Sequence, residues 1–189
     1  MKVVTILGSP RKDGNSAILT QEIIDIAKKS NNNIQSFHLN KLNYKGCQAC
    51  MSCKTKTDYC VINDDLKEVL EAIRDCDALV LASPIYFADI TAQMKGLIDR
   101  TYSYLVPDFL NKPEPTRLKT GKTLIFILPQ AQPGEKLFAD IFPKYEFFLK
   151  IMGFTNTYQV RACGVLEAGS VKENPDIIDK VREIAKSIF

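Results

Sequence analysis

Four of the six cysteines lie close together in sequence, and their spacing is the sharpest indication of redox chemistry in this chain. Cys47, Cys50, Cys53 and Cys60 form the pattern Cys-x2-Cys-x2-Cys-x6-Cys within one loop. Thiolates spaced this densely can surround an iron-sulfur cubane. They can also bind Zn²⁺ tetrahedrally, although zinc ribbons usually separate two Cys-x-x-Cys pairs by a longer span. Four free thiols or adventitious disulfides are the third interpretation.

A second polar segment follows the first apolar run and has the composition of an anion site. It reads Gly8-Ser9-Pro10-Arg11-Lys12-Asp13-Gly14-Asn15-Ser16 and directly precedes a helical pattern. Backbone N–H groups, hydroxyls, two cations and a helix N-terminus would meet there. The fingerprints of dinucleotide and triphosphate loops are both missing, so a terminal monophosphate fits best. The alternative is a polar turn in which Asn15 or Ser16 caps the helix.

An apolar and aromatic segment follows the third apolar run. Pro84 fixes its backbone φ angle, and Ile85, Tyr86 and Phe87 offer a surface suited to packing along a planar ring. The alternative is an aromatic cluster that only packs the domain or a dimer contact.

The other chemically interesting side chains are predicted to be structural. His38, the only histidine, is interpreted as a polar group at the end of a strand, and no catalytic triad or paired-carboxylate site is present. Asp99 and Arg100 are given no chemical role, because a charged helix face is solvated by default. Cys76 and Cys163 are expected to be small buried hydrophobic residues.

Composition favours one cytoplasmic domain that acts on small molecules. The 189 residues carry 25 basic and 22 acidic side chains, a net charge of +3, with no basic tract, so nucleic acid is not an expected partner. No apolar run is long enough to span a bilayer, and no secretion signal is recognised, so we expect no membrane association. Residues 1–189 are therefore predicted to form a single domain.

The elements that would position these groups alternate between strands and helices. The predicted strands are Lys2–Leu7, Asn33–Leu39, Ala78–Ala82, Thr123–Leu128 and Thr157–Gly164. The predicted helices are Ser16–Lys29, Leu66–Arg74, Ile90–Tyr104, Phe138–Met152 and Asp176–Ile188. The long link Val106–Thr120 is predicted to be a lid or a dimer-contact loop.

This alternation predicts an α/β fold of three layers around a doubly wound, five-stranded parallel sheet. Five strands favour the flavodoxin-like order 2-1-3-4-5 over the six-stranded dinucleotide fold. Ligands of such sheets bind at the carboxyl ends of the strands. The polar and aromatic segments after strands one and three would then meet at one edge.

The motifs resemble those of the flavodoxin-like, NADPH-dependent FMN reductases, including the iron-sulfur flavoproteins. The resemblance lies in the segments Gly8–Arg11, Gly14–Ser16 and Ser83–Phe87, in the pattern from Met94 to Arg100, and in the four clustered cysteines. It implies FMN as cofactor and a [4Fe-4S] cluster on Cys47, Cys50, Cys53 and Cys60. The FMN site it implies consists of Ser9, Arg11, Gly14, Asn15, Ser16, Pro84, Ile85, Tyr86 and Phe87.

The resemblance also implies an activity, an NAD(P)H oxidoreductase that passes electrons to a second acceptor such as a quinone or a flavin. The chemistry would occur on FMN, so no side chain is expected to be catalytic. The alternative function is an electron carrier that accepts electrons from a ferredoxin-like partner. A homodimer or homotetramer is expected. The loop Pro129–Gly134, with two prolines and one glycine, departs from the glycine-rich turn of the family.

Overall fold

The computed structural model describes residues 1–189 and contains seven strands and six α-helices. The strands are β1 (Lys2–Leu7), β2 (Asn33–His38), β3 (Ala78–Ala82), β4 (Ile85–Tyr86), β5 (Asp89–Ile90), β6 (Thr123–Pro129) and β7 (Asn156–Ala162). The helices are α1 (Asn15–Lys29), α2 (Ser52–Thr55), α3 (Leu66–Asp75), α4 (Ala92–Arg100), α5 (Ile141–Ile151) and α6 (Pro175–Ile188). Short 3-10 helices occupy Leu39–Lys41, Thr101–Tyr104, Phe109–Asn111 and Ser170–Glu173.

Five parallel strands form the central sheet in the order β2-β1-β3-β6-β7. The predicted flavodoxin-like order is confirmed, since predicted strands four and five are β6 and β7. β1 lies between β2 and β3, with Leu7 opposite both His38 and Ala82. The order of strands therefore reverses beside β1, which is where ligands of this architecture bind.

Two apolar layers cover the sheet, because successive side chains of a strand point to opposite faces. Val4 and Ile6 of β1 join the core beneath α3, α4 and α5, whereas Val3 belongs to the core beneath α1 and α6. β3 and β6 are buried along their whole length, as expected for strands covered on both faces. None of the helices has the length and apolar character that crossing a bilayer requires.

Several boundaries differ from the prediction. The predicted helix that starts at Ile90 begins instead at Ala92, because Ile90 pairs with Ile85 in a two-stranded hairpin of β4 and β5. Thr91 then caps α4 by accepting a hydrogen bond from the Met94 N–H. The start of α5 is Ile141 rather than Phe138, because Phe138 has a left-handed backbone (φ 62°) that no α-helix contains.

The cysteine loop (residues 40–62) contains a helical turn that was not predicted. α2 begins immediately after Met51, whose φ of 57° is left-handed, and it contains Cys53. The last strand ends at Ala162 rather than Gly164, and Gly164 has a φ of 75° outside the strand. Cys163 is therefore partly exposed, which corrects the expectation that it is buried, whereas Cys76 is buried as predicted.

Candidate functional site

A cavity of about 300 Å³ lies at the carboxyl edge of the sheet, next to the segments that follow β1, β3 and β6. Its volume is at the lower end of the range for small-molecule sites. We call it the edge cavity. The structure brings all nine residues of the predicted FMN site to its wall, namely Ser9, Arg11, Gly14, Asn15, Ser16, Pro84, Ile85, Tyr86 and Phe87.

Gly8 opens the loop at a position that has no room for a side chain. A Cβ atom here would lie 2.9 Å from Met94 Cβ and 3.0 Å from Thr91 Oγ1. The Gly8 N–H donates to the Ala82 carbonyl oxygen at 2.8 Å. The Gly8 carbonyl oxygen accepts from the Thr91 hydroxyl, also at 2.8 Å. The loop is thus held against both β3 and the start of α4.

The rest of the Gly8–Ser16 loop is fixed by short local contacts. The Ser9 hydroxyl accepts from the Arg11 N–H at 3.1 Å, and the Ser9 carbonyl oxygen lies 2.7 Å from Nε2 of His38, a structural contact of the kind predicted for this histidine. Gly14 directly precedes α1, so the first N–H groups of that helix have no partner within it. The Ser16 hydroxyl is buried and makes no hydrogen bond. This arrangement suits an anion.

Asn15 lines the edge cavity but uses its side chain to hold a neighbouring loop. Its amide nitrogen donates to the carbonyl oxygens of Val165 (3.1 Å) and Glu167 (2.9 Å). Its amide oxygen accepts from the N–H groups of Gly169 (3.0 Å) and Val171 (3.2 Å). The Asn15 side chain therefore joins the start of α1 to the segment after β7, and its backbone N–H is the group left for a ligand.

The β4–β5 hairpin forms the apolar wall of the edge cavity. Both residues of its turn, Phe87 (φ 47°) and Ala88 (φ 68°), have a left-handed backbone that side chains other than glycine rarely adopt. The Phe87 side chain is fully exposed and Tyr86 is 42% exposed. Asp89 fixes the hairpin to α5 through hydrogen bonds to Lys144 and to the Tyr145 hydroxyl, each 2.8 Å long.

Sequence reasoning missed a further part of this wall, which comes from the loops after β6 and β7. Gln130 is buried and donates from its amide to the carbonyl oxygens of Gln132 (2.9 Å) and Gly134 (3.1 Å). Leu166 accepts a hydrogen bond from the Arg11 guanidinium at 3.0 Å. The position of Gln130 directly after a buried strand could have indicated that it lies at the ligand-binding edge of the sheet. No local pattern marked Leu166, because it reaches the cavity only through tertiary packing.

All four clustered cysteines line a second, smaller cavity of about 130 Å³. We call it the cysteine cavity. Its walls combine the cysteine loop with residues from the end of α4 and the following turn, including Arg100 and Tyr102. Lys54, next to Cys53, donates from its ammonium group to the Tyr102 carbonyl oxygen at 2.6 Å and lies 3.9 Å from the centre of the Tyr102 ring.

The cysteine cavity contains the four thiol donors that an iron-sulfur cubane requires. All four cysteines line one small space, and none of them forms a disulfide. No three His, Cys, Asp or Glu side chains converge closely enough to hold one metal ion. A cubane accepts one thiolate at each of four separate iron atoms, so its ligands need not converge on one point. The donor set of the cysteine cavity is therefore chemically compatible with a cubane.

The thiols differ in their electrostatic surroundings. The pKa of the Cys50 thiol is below its usual value, because the backbone and side chain of Ser52 hydrogen-bond to the sulfur. Burial raises the pKa of the Cys53 thiol. Lys54 has a lowered pKa because its ammonium group is partly withdrawn from water.

Arg100 overturns one expectation from the sequence. Its guanidinium was predicted to be solvated, yet the side chain has no exposed surface and forms an ion pair with Asp64 at 2.9 Å. Its Nε donates to the sulfur of Cys60, also at 2.9 Å. The helical pattern could not reveal this burial, because the partners of Arg100 lie in the cysteine loop rather than on its own helix.

Comparison with known proteins identifies a family model and several relatives that this chain resembles. The family model for NADPH-dependent FMN reductase matches residues 1–133. An iron-sulfur flavoprotein of Archaeoglobus fulgidus is 40% identical over 106 residues, which are 55% of this chain and 47% of that protein. An iron-sulfur flavoprotein of Methanosarcina thermophila is 34% identical over 101 residues, 53% of this chain and 52% of that protein. The chain thus spans about half the length of these relatives.

Two solved structures share the fold along the whole chain. An FMN-dependent NADH-azoreductase from Bacillus anthracis in complex with FMN superimposes with a TM-score of 0.75 at 16% identity and covers 100% of this chain and 99% of its own. An NAD(P)H:quinone oxidoreductase from Methanothermobacter marburgensis gives a TM-score of 0.76 at 16% identity, with 100% and 96% covered. The family match extends over more than half of the residues. The chain therefore belongs to the family of NADPH-dependent FMN reductases.

Proposed function

We propose that the chain is an FMN-dependent NAD(P)H oxidoreductase with FMN in the edge cavity. The observation that supports this most directly is the meeting of an anion-binding loop and an apolar hairpin on one cavity at the strand-order reversal. All of residues 1–189 would act as one FMN-binding domain, since β7 and α6 complete the same sheet and core. Family membership supports the same activity.

In this proposal the FMN phosphate is bound by the Gly8–Ser16 loop and the start of α1. The buried Ser16 hydroxyl would donate to a phosphate oxygen, and the Arg11 guanidinium would neutralise part of its charge. Pro84, Ile85, Tyr86 and Phe87 would supply the apolar surface for the isoalloxazine ring. FMN supplies hydride chemistry at its N5 atom, and the chain contributes orientation and exclusion of water.

Flavin binding and reduction test this function directly. FMN titrated into the apoprotein should lose its fluorescence at one equivalent per chain. Mixing the anaerobic holoprotein with NADH or NADPH should bleach the flavin absorbance, and the faster nucleotide identifies the physiological donor. With a quinone or a second flavin as acceptor, initial-rate lines should be parallel, since both substrates use one site in turn. Failure to bind FMN would contradict the proposal.

A second function is supported by the cysteine cavity, namely that of an electron carrier with a [4Fe-4S] cluster. Cys47, Cys50, Cys53 and Cys60 would hold the cluster, one thiolate on each iron. The cluster exchanges single electrons, and a ferredoxin-like protein is the proposed partner. The names of the relatives from Archaeoglobus and Methanosarcina, both iron-sulfur flavoproteins, support this hypothesis.

Metal analysis of anaerobically purified protein separates the candidates. About four iron and four sulfide per chain support the carrier, zinc supports a structural site, and neither metal leaves a reductase with free thiols. Stopped-flow mixing then assigns the electron donor. Flavin bleaching by NADPH but not by reduced ferredoxin identifies the reductase, and the opposite result identifies the carrier.

We also propose that the chain forms a homodimer or homotetramer in the cytoplasm. An apolar groove of about 580 Å³ runs between α4 and α5, and Phe147 (59% exposed) and Phe148 (47%) lie side by side on α5. Aromatic side chains exposed together are typical of protein interfaces. A reducing compartment would keep the exposed thiols of Cys47 and Cys50 available as cluster ligands.

A further inference from the structure

The Arg100 guanidinium is placed so that each of its five N–H groups has an acceptor. Nε donates to the Cys60 sulfur at 2.9 Å. One terminal nitrogen donates to the carbonyl oxygen of Lys45 and to an Asp64 oxygen, both at 2.9 Å. The other donates to the carbonyl oxygen of Ile62 at 3.2 Å and to the second Asp64 oxygen at 3.3 Å. No donor remains for water or for a ligand.

These contacts fix both flanks of the four-cysteine segment, at Lys45 and Ile62, to the end of α4. Lys45 lies two residues before Cys47, and Ile62 lies two residues after Cys60, so one side chain holds the segment that contains all four cysteines. Burying a guanidinium without partners would be strongly unfavourable. The Asp64 carboxylate, only 12% exposed, supplies the opposite charge. Arg100 is therefore a buried structural component of the cysteine site and not a surface charge.

The contact with sulfur is specific to Cys60. Hydrogen bonds to the sulfur atoms of an iron-sulfur site stabilise its more negative, reduced form and so raise its reduction potential. Asp64 offsets the positive charge of Arg100. The effect of Arg100 on the reduction potential should therefore come mainly from its N–H to sulfur bond, which other nearby cations do not make. Arg117 is such a cation, since its guanidinium donates to the carbonyl oxygens of Ser103 (2.7 Å) and Leu105 (2.9 Å) and to no sulfur.

We propose that Arg100 is a positioning residue of the cysteine site, which orients Cys60 toward the cavity and raises the potential of the cluster through its Nε–H to sulfur bond. This inference rests on the cluster of the second proposed function. Arg100 would serve the cluster without being one of its ligands. The proposal also explains why this buried arginine, which does not line the edge cavity, has a partner for each of its five N–H groups.

The test compares Arg100→Gln and Arg100→Lys with Arg117→Gln in the complete chain after anaerobic reconstitution with iron and sulfide. Arg100→Lys keeps the positive charge but cannot make the five contacts. Arg117→Gln removes an arginine that is hydrogen-bonded to the turn after α4 and donates to no sulfur. Circular dichroism and thermal unfolding establish which variants fold. Iron and sulfide content, loss of the visible absorbance to a chelator, and a dithionite titration of the midpoint potential are the measurements.

We expect both Arg100 variants to have a lower midpoint potential than the wild type and to lose the cluster to the chelator about tenfold faster or more. Arg117→Gln should show a clearly smaller change, because it removes a charge near Cys53 but no bond to sulfur. An Arg100 variant that folds but does not take up iron and sulfide also supports the inference, provided that Arg117→Gln takes them up. Equal potentials and equal chelator rates in all three variants overturn it, and so does unfolding of both Arg100 variants. If the wild-type protein binds no iron and sulfide, the proposed cluster itself is refuted. This outcome is distinguishable from a failure of the Arg100 proposal, because it appears in the wild type.

Discussion

At the scale of single residues, the Ser16 hydroxyl has a clear ligand-binding signature, since it is buried at the edge cavity without a hydrogen-bond partner. We expect Ser16→Ala to weaken FMN binding about tenfold, because a hydrogen bond to a charged phosphate contributes roughly 1.5 kcal/mol. The thermal stability of the apoprotein should stay the same or rise, since no internal bond is lost. Fluorescence titration and thermal unfolding of the apoprotein measure the two effects.

Thr20 gives the matched control for Ser16. Its hydroxyl is buried one turn further along α1 and donates to the Ser16 carbonyl oxygen at 2.8 Å. Thr20→Val removes a hydroxyl of similar burial that does not face the cavity, so it should change stability rather than FMN affinity. Equal losses of affinity in the two variants would mean that Ser16 acts through the helix and not on the phosphate.

At the scale of elements, Thr91 connects three of them. Its hydroxyl caps α4 at the Met94 N–H (3.2 Å) and donates to the Gly8 carbonyl oxygen, while its own N–H donates to the Ser83 hydroxyl at 3.0 Å. We expect Thr91→Ala to lower the free energy of unfolding by about 2 kcal/mol through the lost cap and the unsatisfied Gly8 carbonyl. Urea unfolding measures this loss.

Thr91→Ser is the companion variant, because it keeps the hydroxyl and removes only a methyl group. Its loss should stay below about 1 kcal/mol. If the serine variant is as unstable as the alanine variant, packing of the methyl group rather than hydrogen bonding accounts for the role of Thr91.

The elements themselves were predictable to different degrees. The strands β1, β3 and β6 have continuous apolar patterns, which the sheet buries as expected, whereas the edge strands β2 and β7 stay partly exposed. The β4–β5 hairpin was missed, because Phe87 and Ala88 occupy turn positions where glycine or asparagine is the usual signal. The turn α2 was missed as well, since four residues give no helical periodicity.

At the scale of the whole molecule, the Asp64 carboxylate makes stability depend on pH. Burial raises the pKa of Asp64, but the hydrogen bonds from Arg100, Lys45 and Leu66 and the positive charge of Arg100 together outweigh this and leave its pKa below the ordinary value. The folded state therefore binds this proton less readily than the unfolded chain does. The contribution is fully present above about pH 4 and is lost as the pH falls through the folded pKa.

Asp64→Asn should lower the free energy of unfolding at pH 7 by about 2 kcal/mol, since Arg100 loses its charged partner. It should also flatten the dependence of stability on pH in the acid range. Asp25→Asn, an exposed carboxylate on α1, is the control and should leave both quantities near those of the wild type. Chemical unfolding of the apoprotein between about pH 2 and 7 provides the comparison, and an unchanged acid slope in Asp64→Asn would contradict it.

Assembly is the other property of the whole molecule that can be tested. Phe147→Asp places a charge among the exposed aromatics of α5 and should shift the assembly toward monomer. Ser187→Asp adds the same charge to an exposed position of α6, on the other face of the sheet, and should leave the mass unchanged. Light scattering after size-exclusion chromatography reports the mass of each variant.

The amino-acid sequence by itself determined the parallel sheet, its strand order and the two segments that meet at the edge cavity. Apolar periodicity and loop composition are local properties, and the carboxyl ends of parallel strands must share an edge. Only the tertiary structure decided that the Asn15 side chain holds the segment after β7, that Gln130 and Leu166 complete the wall, and that Arg100 is buried against Cys60. Those outcomes depend on contacts between residues far apart in sequence, which no local pattern encodes.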